Sequence, residues 1–421
     1  MAGQGLESLS GIDPFQRALA FHQQNRPLQA MQVLLPSLKK NSMEGVSIRS
    51  LLMYGNACLE LGLADHLLAC FEKWGVAWSE SSCETTGWLL YMRGLAHLFS
   101  GHYLRGWQDL EARFEAGFAV PPAWNRPRML VADLRPEVDV LLHADLGFGD
   151  TFFSLRFVSR LRSFVRSVSI GCDFGLVDLL TASGLFDHVF APGLVSIKPN
   201  TCWLPLNSLP LLLDVEGPSD DAVPYLQIDP RQAPAWCQGL NKKGGAAPLV
   251  ALNWQGGQEK ESIFSAGVRE RSFSLQELER VGGLRQCRLI SVQVGQGADQ
   301  LHASPLASRL VPEQQMFDQE PHSFLKTASV LMEVDLLITN DTSVAHLGGA
   351  LGIPTWVILK RHPYWQWGDQ GETTPWYPSV HCFRQHRLFE WSGAMQDVDQ
   401  MLMRFITAWH RHREIQESPC L

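Results

Sequence analysis

The residues with the clearest chemical potential lie where a buried strand is expected to end and a helix to begin. Asp341, Thr342, Ser343 and His346 belong to the run Ile-Thr-Asn-Asp-Thr-Ser-Val-Ala-His. Backbone N–H groups at such a helix start attract anions, and the two hydroxyls add donors. His346 shares a helix face with Thr342, four residues earlier. The pattern predicts an anion site, although a well-capped helix with a core histidine explains it equally well.

A second group lies at the start of an earlier helix. Gly147, Gly149 and Asp150 occur in the run Gly-Phe-Gly-Asp-Thr. The glycines would let the backbone approach a ligand or a partner element closely. A carboxylate here could act as general base on an acceptor hydroxyl, and the simpler explanation of Asp150 alone is a helix N-cap. A dinucleotide fingerprint is unsupported because Phe152 replaces its third glycine.

Basic and aromatic side chains complete the candidates. Arg271 lies in the basic segment 267–273, which follows the strand and turn that contain Trp254. An arginine here could bind a phosphate bidentately and neutralise a leaving group without a metal ion, and a solvated charge cluster is the alternative. The aromatic segment 361–378 suits a sugar or a nucleobase, and a packed domain interface is the competing explanation.

The composition limits the class of protein. The 421 residues contain 35 Lys and Arg against 43 Asp and Glu, a net charge of −8, which argues against a nucleic-acid partner. The 45% hydrophobic content is typical of a globular protein. We find no run apolar enough for an integral membrane segment, no export signal and no CxxC pair. These features predict a cytoplasmic protein without a metal site.

Residues 1–118 are predicted to be helical repeats. The small residues Ala18, Gly55 and Gly94 are each followed seven positions later by a candidate turn residue, at Asn25, Gly62 and Gly101. This rhythm is typical of tetratricopeptide repeats, in which each unit is a helical hairpin that must stack on its neighbours. An ordinary helical bundle is the alternative.

From residue 119 onward, buried strands alternate with helices, which predicts two Rossmann-like α/β domains at 119–240 and 241–421. The proline-rich stretch 119–137 is expected to be a linker that lies against the first of them. Two such domains in tandem imply a cleft lined by the carboxyl ends of both sheets. The C-terminal amphipathic helix, near residues 395–415, could cross back over the first domain. The predicted strands are 138–143, 167–172, 188–191, 201–204, 249–254, 288–294, 335–339 and 355–359.

Five motifs occur in a fixed order along the chain. They are Leu-Leu-His-Ala-Asp-Leu-Gly-Phe-Gly-Asp-Thr (141–151), Val-Ala-Leu-Asn-Trp-Gln-Gly (250–256), Arg-Ser-Phe-Ser-Leu (271–275), Asp-Thr-Ser-Val-Ala-His-Leu-Gly-Gly-Ala-Leu-Gly-Ile-Pro (341–354) and Pro-Trp-Tyr-Pro-Ser (375–379). This set resembles bacterial tetratricopeptide-repeat glycosyltransferases, whose catalytic half is similar to the lipopolysaccharide heptosyltransferases of GT-B fold. The family commonly has Glu-Gln where this chain has Asp145 and Leu146.

The resemblance implies an inverting glycosyltransferase that needs no cofactor or metal. A UDP-, ADP- or GDP-sugar would be the donor, and a polypeptide, a polysaccharide or a lipid-linked glycan, bound along the helical repeats, would be the acceptor. Asp150 would be the acceptor-side base. The donor would be bound mainly by the second α/β domain, with its diphosphate at Thr342, Ser343 and His346, and the candidate donor-site residues are completed by Gly147, Gly149, Trp254, Arg271 and Asp341.

Two other functions remain open on the sequence. One is a noncatalytic adaptor, in which the repeats bind a partner and the transferase-like part is degenerate. The other is an enzyme that uses water to cleave a sugar phosphate in the same cleft.

Overall fold

The computed structural model of the protein describes residues 13–38, 47–74, 83–193, 197–198, 200–218, 224–241, 245–257 and 271–417, without the side chains of residues 83–85 and 416–417. The first four residues of the basic segment, 267–270, lie outside these ranges.

Six helices form the N-terminal helical array. They are α1 (Pro14–Gln23), α2 (Pro27–Leu38), α3 (Ile48–Glu60), α4 (Ala64–Trp74), α5 (Cys83–Phe99) and α6 (Tyr103–Leu110). Consecutive helices pack as the pairs α1 with α2, α3 with α4 and α5 with α6.

The predicted turn residues lie in the turns inside these pairs. Asn25, Gly62 and Gly101 have φ angles of 58°, 70° and 75°, in the left-handed region that glycine and asparagine tolerate best. The small helical residues allow close helix packing, since a Cβ on Gly94 would lie 2.6 Å from a methyl carbon of Leu110. The hairpins are therefore present, and their assignment to the tetratricopeptide family stays a prediction.

Four parallel strands form the first sheet, in the order β3-β2-β1-β4. All four lie within the regions predicted from buried apolar runs, apart from one residue at the end of β4. The strands are β1 (Asp139–His143), β2 (Ser167–Gly171), β3 (Val189–Phe190) and β4 (Thr201–Pro205), and the helices around them are α7 (Phe148–Ser154), α8 (Val158–Arg162), α9 (Phe174–Ala182) and α10 (Leu209–Leu212).

The proline-rich linker after the helical array lies along the edge of this sheet. The N–H of Trp203 donates to the carbonyl of Pro127 at 3.0 Å, and the N–H of Met129 donates to the carbonyl of Trp203 at 2.8 Å. Arg128 thus forms a parallel bridge with Trp203 of β4. The linker therefore packs against the first sheet, as the sequence predicts.

Five parallel strands form the second sheet, in the order β6-β5-β7-β8-β9. The strands are β5 (Leu249–Leu252), β6 (Arg288–Ser291), β7 (Leu336–Asn340), β8 (Thr355–Leu359) and β9 (Val380–Arg384), with helices α11 (Leu275–Glu279), α12 (Gln314–Gln319), α13 (Phe324–Leu331) and α14 (Ser343–Leu351). The sequence analysis missed β9, because its Val-His-Cys-Phe-Arg lacks the continuous apolar run of the inner strands.

The C-terminal helix α15 (Ser392–Glu417) packs on the second sheet. Its apolar face, including Met395, Val398 and Leu402, belongs to the core of that sheet. The predicted crossing over the first sheet is therefore wrong for the described part of the helix. The Asp399 carboxylate accepts the N–H of Gly283 at 2.8 Å. Among the described residues, no helix is long and apolar enough to cross a membrane.

Each strand order contains a switch point. This is the place where the chain connections from two neighbouring strands lead to opposite sides of the sheet. The switch point lies between β1 and β4 in the first sheet and between β5 and β7 in the second. Open α/β sheets bind ligands in the crevice at such points. Helix α7 begins beside the first point and α14 beside the second, and these two helices pack directly against each other.

Gly349 gives a test of how α14 packs against Tyr377, in the loop before β9. We expect Gly349→Ala to lower the free energy of unfolding by about 1–3 kcal/mol, because the new Cβ would lie 2.3 Å from a ring carbon of the buried Tyr377. Urea unfolding monitored by circular dichroism would measure the change. The control is Gly175→Ala in α9, where the nearest atom would be 3.4 Å away. Equal losses in both variants would contradict the steric explanation.

Candidate functional site

Asp150 lies on α7 and lines a small cavity between the two sheets and the helical array. The cavity has a volume of about 20 Å³, and its other walls include Tyr91 of α5, Trp107 of α6 and the turn 364–366. This volume is room for about one water molecule. The helical array therefore forms part of the surroundings of Asp150, and the structure shows the cleft closed at this point.

The residues of the Gly-Phe-Gly-Asp-Thr motif occupy different positions at the start of α7. Gly147 is the N-cap, so Asp150 is the third helical residue and not the cap that the simpler explanation required. A Cβ on Gly149 would lie 3.0 Å from the imidazole Cδ2 of His346. Gly149 thus permits the close approach of α14, which is the partner-element role that the sequence left open.

The start of α14 lacks a side-chain cap. Thr342 is its N-cap residue in extended conformation, and its hydroxyl makes no capping hydrogen bond. That hydroxyl instead accepts from Nδ2 of Asn253 at 3.1 Å, and the same amide donates to Oδ1 of Asn340 at 2.9 Å. Ser343, the first helical residue, is half-buried. Because the Thr342 oxygen turns inward, the first N–H groups of α14 are not capped by it.

Arg271 lies beside the same helix start. A Cβ on Gly256 would lie 3.3 Å from Nη2 of Arg271 and 3.2 Å from the methyl group of Thr342, so these two side chains flank Gly256 closely. The backbone carbonyl of Arg271 accepts from Nδ2 of Asn340 at 3.2 Å. Glycine at position 256 therefore allows a guanidinium group to lie close to the positive end of a helix dipole.

Asp341 lies in the interior behind this point. It is 4% exposed, and burial raises the pKa of its carboxyl group, while Arg271 opposes that shift. Trp367 and Lys360 also favour its charged form. Its Oδ2 atom has no hydrogen-bond partner among the described residues. The carboxyl group therefore lies near the charges of Arg271 and Lys360, while one of its two oxygens accepts no hydrogen bond from the described residues.

His346 is buried inside the contact between α7 and α14. Its Nδ1 is 2.8 Å from the hydroxyl of Tyr377, and its ring centroid is 4.7 Å from that of Trp367. Burial, aided by the charges of Arg156 and Arg271, lowers the pKa of His346 to about 3. The ring is therefore neutral near pH 7, and it faces Gly149.

Trp254 supports the second switch point from inside. Its side chain is fully buried in the core of the second sheet. The backbone N–H groups of Trp254 and Gln255 donate to Oε1 of Gln293 at 3.0 and 2.9 Å, which fixes the turn after β5. The indole thus lies behind the turn that includes Gly256. A role for Trp254 in binding the nucleotide-sugar donor stays a prediction.

The aromatic segment favours the interface explanation. Trp365 packs edge-on against Trp107 of α6 and Phe153 of α7, with centroid distances of 5.1 Å to each. Trp376 approaches Tyr103 of α6 at 5.4 Å. These rings join the helical array to both sheets.

Sequence reasoning missed Arg156, which ties the two sheets together. Its guanidinium group donates to the carbonyls of Phe153 and Trp376, both at 2.9 Å, and lies 4.6 Å from the ring centroid of Tyr377. No local pattern marks this residue, since Trp376 is 220 positions away. Asn253 was also missed, although a polar residue directly after the buried strand β5 is a readable signal.

No family model matches the chain. Protein FlbA of Caulobacter vibrioides is 24% identical over 378 residues, which cover 83% of this chain and 60% of FlbA, so the chain spans about three fifths of that relative's length. A glycosyl transferase family 9 structure from Veillonella parvula is 11% identical with a TM-score of 0.43, covering 65% of this chain and 99% of that one. The E. coli ADP-heptose LPS heptosyltransferase II is likewise 11% identical with a TM-score of 0.43, covering 66% and 99%.

Proposed function

We infer that the protein is a glycosyltransferase that moves a sugar from a nucleotide sugar to a hydroxyl acceptor without a metal ion. The observation that carries this function is the meeting of the two switch points. One presents the Asp150 carboxylate, and the other presents the uncapped start of α14 with Arg271 beside it. The ordered motifs that resemble glycosyltransferases supply the residues at both points.

The helix start and Arg271 suit a departing diphosphate. Negative charge grows on the leaving oxygen as the glycosidic bond to the donor breaks, and fixed N–H donors with a guanidinium group stabilise it there. Gly256 allows the Arg271 guanidinium group and Thr342 at the start of α14 to lie close together, so one phosphate could contact both groups. This arrangement explains why no metal ion is needed in the proposed mechanism.

Asp150 suits the other half of the reaction. The acceptor hydroxyl gives its proton to the carboxylate while its oxygen attacks the anomeric carbon, and the nucleoside diphosphate leaves from the opposite face. Because the cavity at Asp150 holds about one water, the acceptor can enter only when its walls separate, and these walls come from the helical array, α7 and the turn 364–366.

A ligand panel tests the proposal. UDP, ADP, GDP and their sugars are added at millimolar concentration without metal, and the unfolding temperature is measured. One nucleotide should stabilise the protein, by about 2.7 kcal/mol at 100 times its Kd. A panel in which no nucleotide shifts the transition, with or without Mg²⁺, would contradict the proposed function.

Arg271→Met should weaken binding of the stabilising nucleotide about tenfold or more, because a charge-assisted hydrogen bond to phosphate is lost. Titration calorimetry measures the change. Arg280→Met is the matched control, since its guanidinium group is exposed and pairs with Glu277 on α11. Equal weakening in both variants would indicate a general charge effect and would remove Arg271 from the donor site.

The noncatalytic adaptor is the second candidate, and the small volume of the cavity at Asp150, about 20 Å³, favours it. In that case the sheets would serve as a rigid platform for the helical array. The ligand panel separates the two functions, because an adaptor with a degenerate site would bind none of the nucleotides.

A further inference from the structure

The last turn of the helical array reaches into the first switch point through a buried arginine. Arg113, three residues after α6, is fully buried. Its Nε donates to Oδ2 of Asp145 at 2.7 Å, and its Nη1 donates to Oε1 of Glu111 at 2.8 Å. Its Nη2 donates to the hydroxyl of Ser208 at 2.8 Å. One side chain thus joins the helical array to the loop after β1 and the turn after β4.

Asp145 continues this connection to the helix of Asp150. Its side chain is fully buried, and its Oδ1 accepts from the N–H and from Nδ2 of Asn207 at 3.1 and 3.0 Å. Oδ1 of Asn207 in turn accepts from the hydroxyl of Ser154, the last residue of α7, at 2.9 Å. The loop before α7 and the end of α7 are therefore both fixed by one hydrogen-bonded chain that begins in the helical array.

Stability alone is a poor explanation for this arrangement. Taking an arginine and a carboxylate out of water costs much of what their attraction returns, so apolar residues of similar volume would often stabilise the fold as well. The geometry does provide orientation, since the planar guanidinium group has a fixed set of donors. Arg113, Asn207 and Ser154 also line the same small cavity as Asp150.

We propose that Arg113 is a positioning residue, which acts through Asp145 and Asn207 to hold Asp150 in place and thereby couples the helical array to sugar transfer. This rests on the proposed function. A displacement of about 1 Å at a reacting group can reduce the rate about 10²-fold. Loss of Arg113 should therefore lower kcat by about that factor, while the affinity for the donor changes less than about twofold.

The test uses three variants of the full chain and one control. Arg113→Met removes every hydrogen bond of the guanidinium group, and Arg113→Lys keeps the charge without the planar donors. Arg113→Met with Asp145→Asn avoids leaving the Asp145 charge buried without its arginine. The control is Arg93→Met, which breaks the Arg93–Asp109 pair within the same hairpin, where Nε and Oδ2 are 2.6 Å apart. Each protein is assayed for kcat, KM, donor Kd and hydrogen exchange at residues 144–151.

In folded Arg113 variants we expect lower kcat, unchanged donor Kd and faster exchange at residues 144–151, with Arg113→Lys between wild type and Arg113→Met. The Arg93 control should match wild type. Wild-type kcat together with wild-type exchange in the double variant would overturn the proposal. If the wild-type chain binds no nucleotide, the proposed function fails separately, and the exchange data alone decide the coupling: faster exchange supports it and unchanged exchange overturns it.

Discussion

Asp150→Asn is expected to reduce sugar transfer about 10²–10⁴-fold while donor binding stays within about twofold of wild type. The amide keeps the size and shape of the side chain and cannot take a proton from the acceptor hydroxyl, which removes general base catalysis. Asp150 lies at the first switch point, whereas the proposed diphosphate site lies on α14 and at Arg271. Binding and chemistry should therefore separate in this variant.

The measurement combines initial rates with calorimetry of the donor. Asp173→Asn provides a matched control, because Asp173 is an exposed carboxylate that caps α9 at the same edge of the same sheet. It should transfer sugar at the wild-type rate. Equal loss of donor binding and of transfer in Asp150→Asn would show that Asp150 supports the fold or the donor instead of accepting the proton.

Acid should destabilise the protein through His346. Burial lowers its pKa to about 3 from an ordinary value of 6.5. Below pH 6.5 the unfolded chain binds a proton on this ring, whereas the folded chain stays neutral until about pH 3. Stability is therefore lost as the pH falls through this window, by roughly 1 kcal/mol per pH unit.

Replacing His346 by Gln should remove this dependence. Urea unfolding of wild type and His346→Gln at pH 4, 5 and 6 gives the slope of unfolding free energy against pH for each. We expect the wild-type slope to be steeper by roughly 1 kcal/mol per pH unit, since all other groups are common to both proteins. His302→Gln, at an exposed ring, serves as control and should follow wild type. Parallel slopes for wild type and His346→Gln would mean that the ring is protonated in the folded protein.

The sequence predicted the strands that have a continuous apolar run. Thr355–Leu359 was predicted with its observed bounds, because both faces of that inner strand are buried and its length is set by the glycine and proline before it. The prediction failed for β9, because its polar residues interrupt the apolar run on which strand prediction relied. It also failed where a helix is interrupted. The apolar residues Phe153, Phe157, Leu161 and Val165 have the spacing of one helix face and predict a single helix, but the chain forms α7, a short 3₁₀ turn and α8.

The candidate site was predictable only in its local parts. The motif around Thr342 and the Gly-Phe-Gly-Asp run mark the two helix starts that meet, because strand ends and helix starts leave a local pattern. The groups that hold the two helix starts together leave no such local pattern. Arg113 reaches Asp145 over 32 positions and Ser208 over 95, and such contacts leave no periodicity in the sequence.

The linker alongside β4 also affects how molecules of this protein meet one another. An uncovered outer strand offers its N–H and C=O groups to a strand of another molecule, and this is a common route to aggregation. Here residues 127–129 already use the outward-facing groups of Trp203. At the opposite border of the sheet, β3 is only two residues long. The first sheet is thus poorly suited to growth by strand addition from a neighbouring molecule.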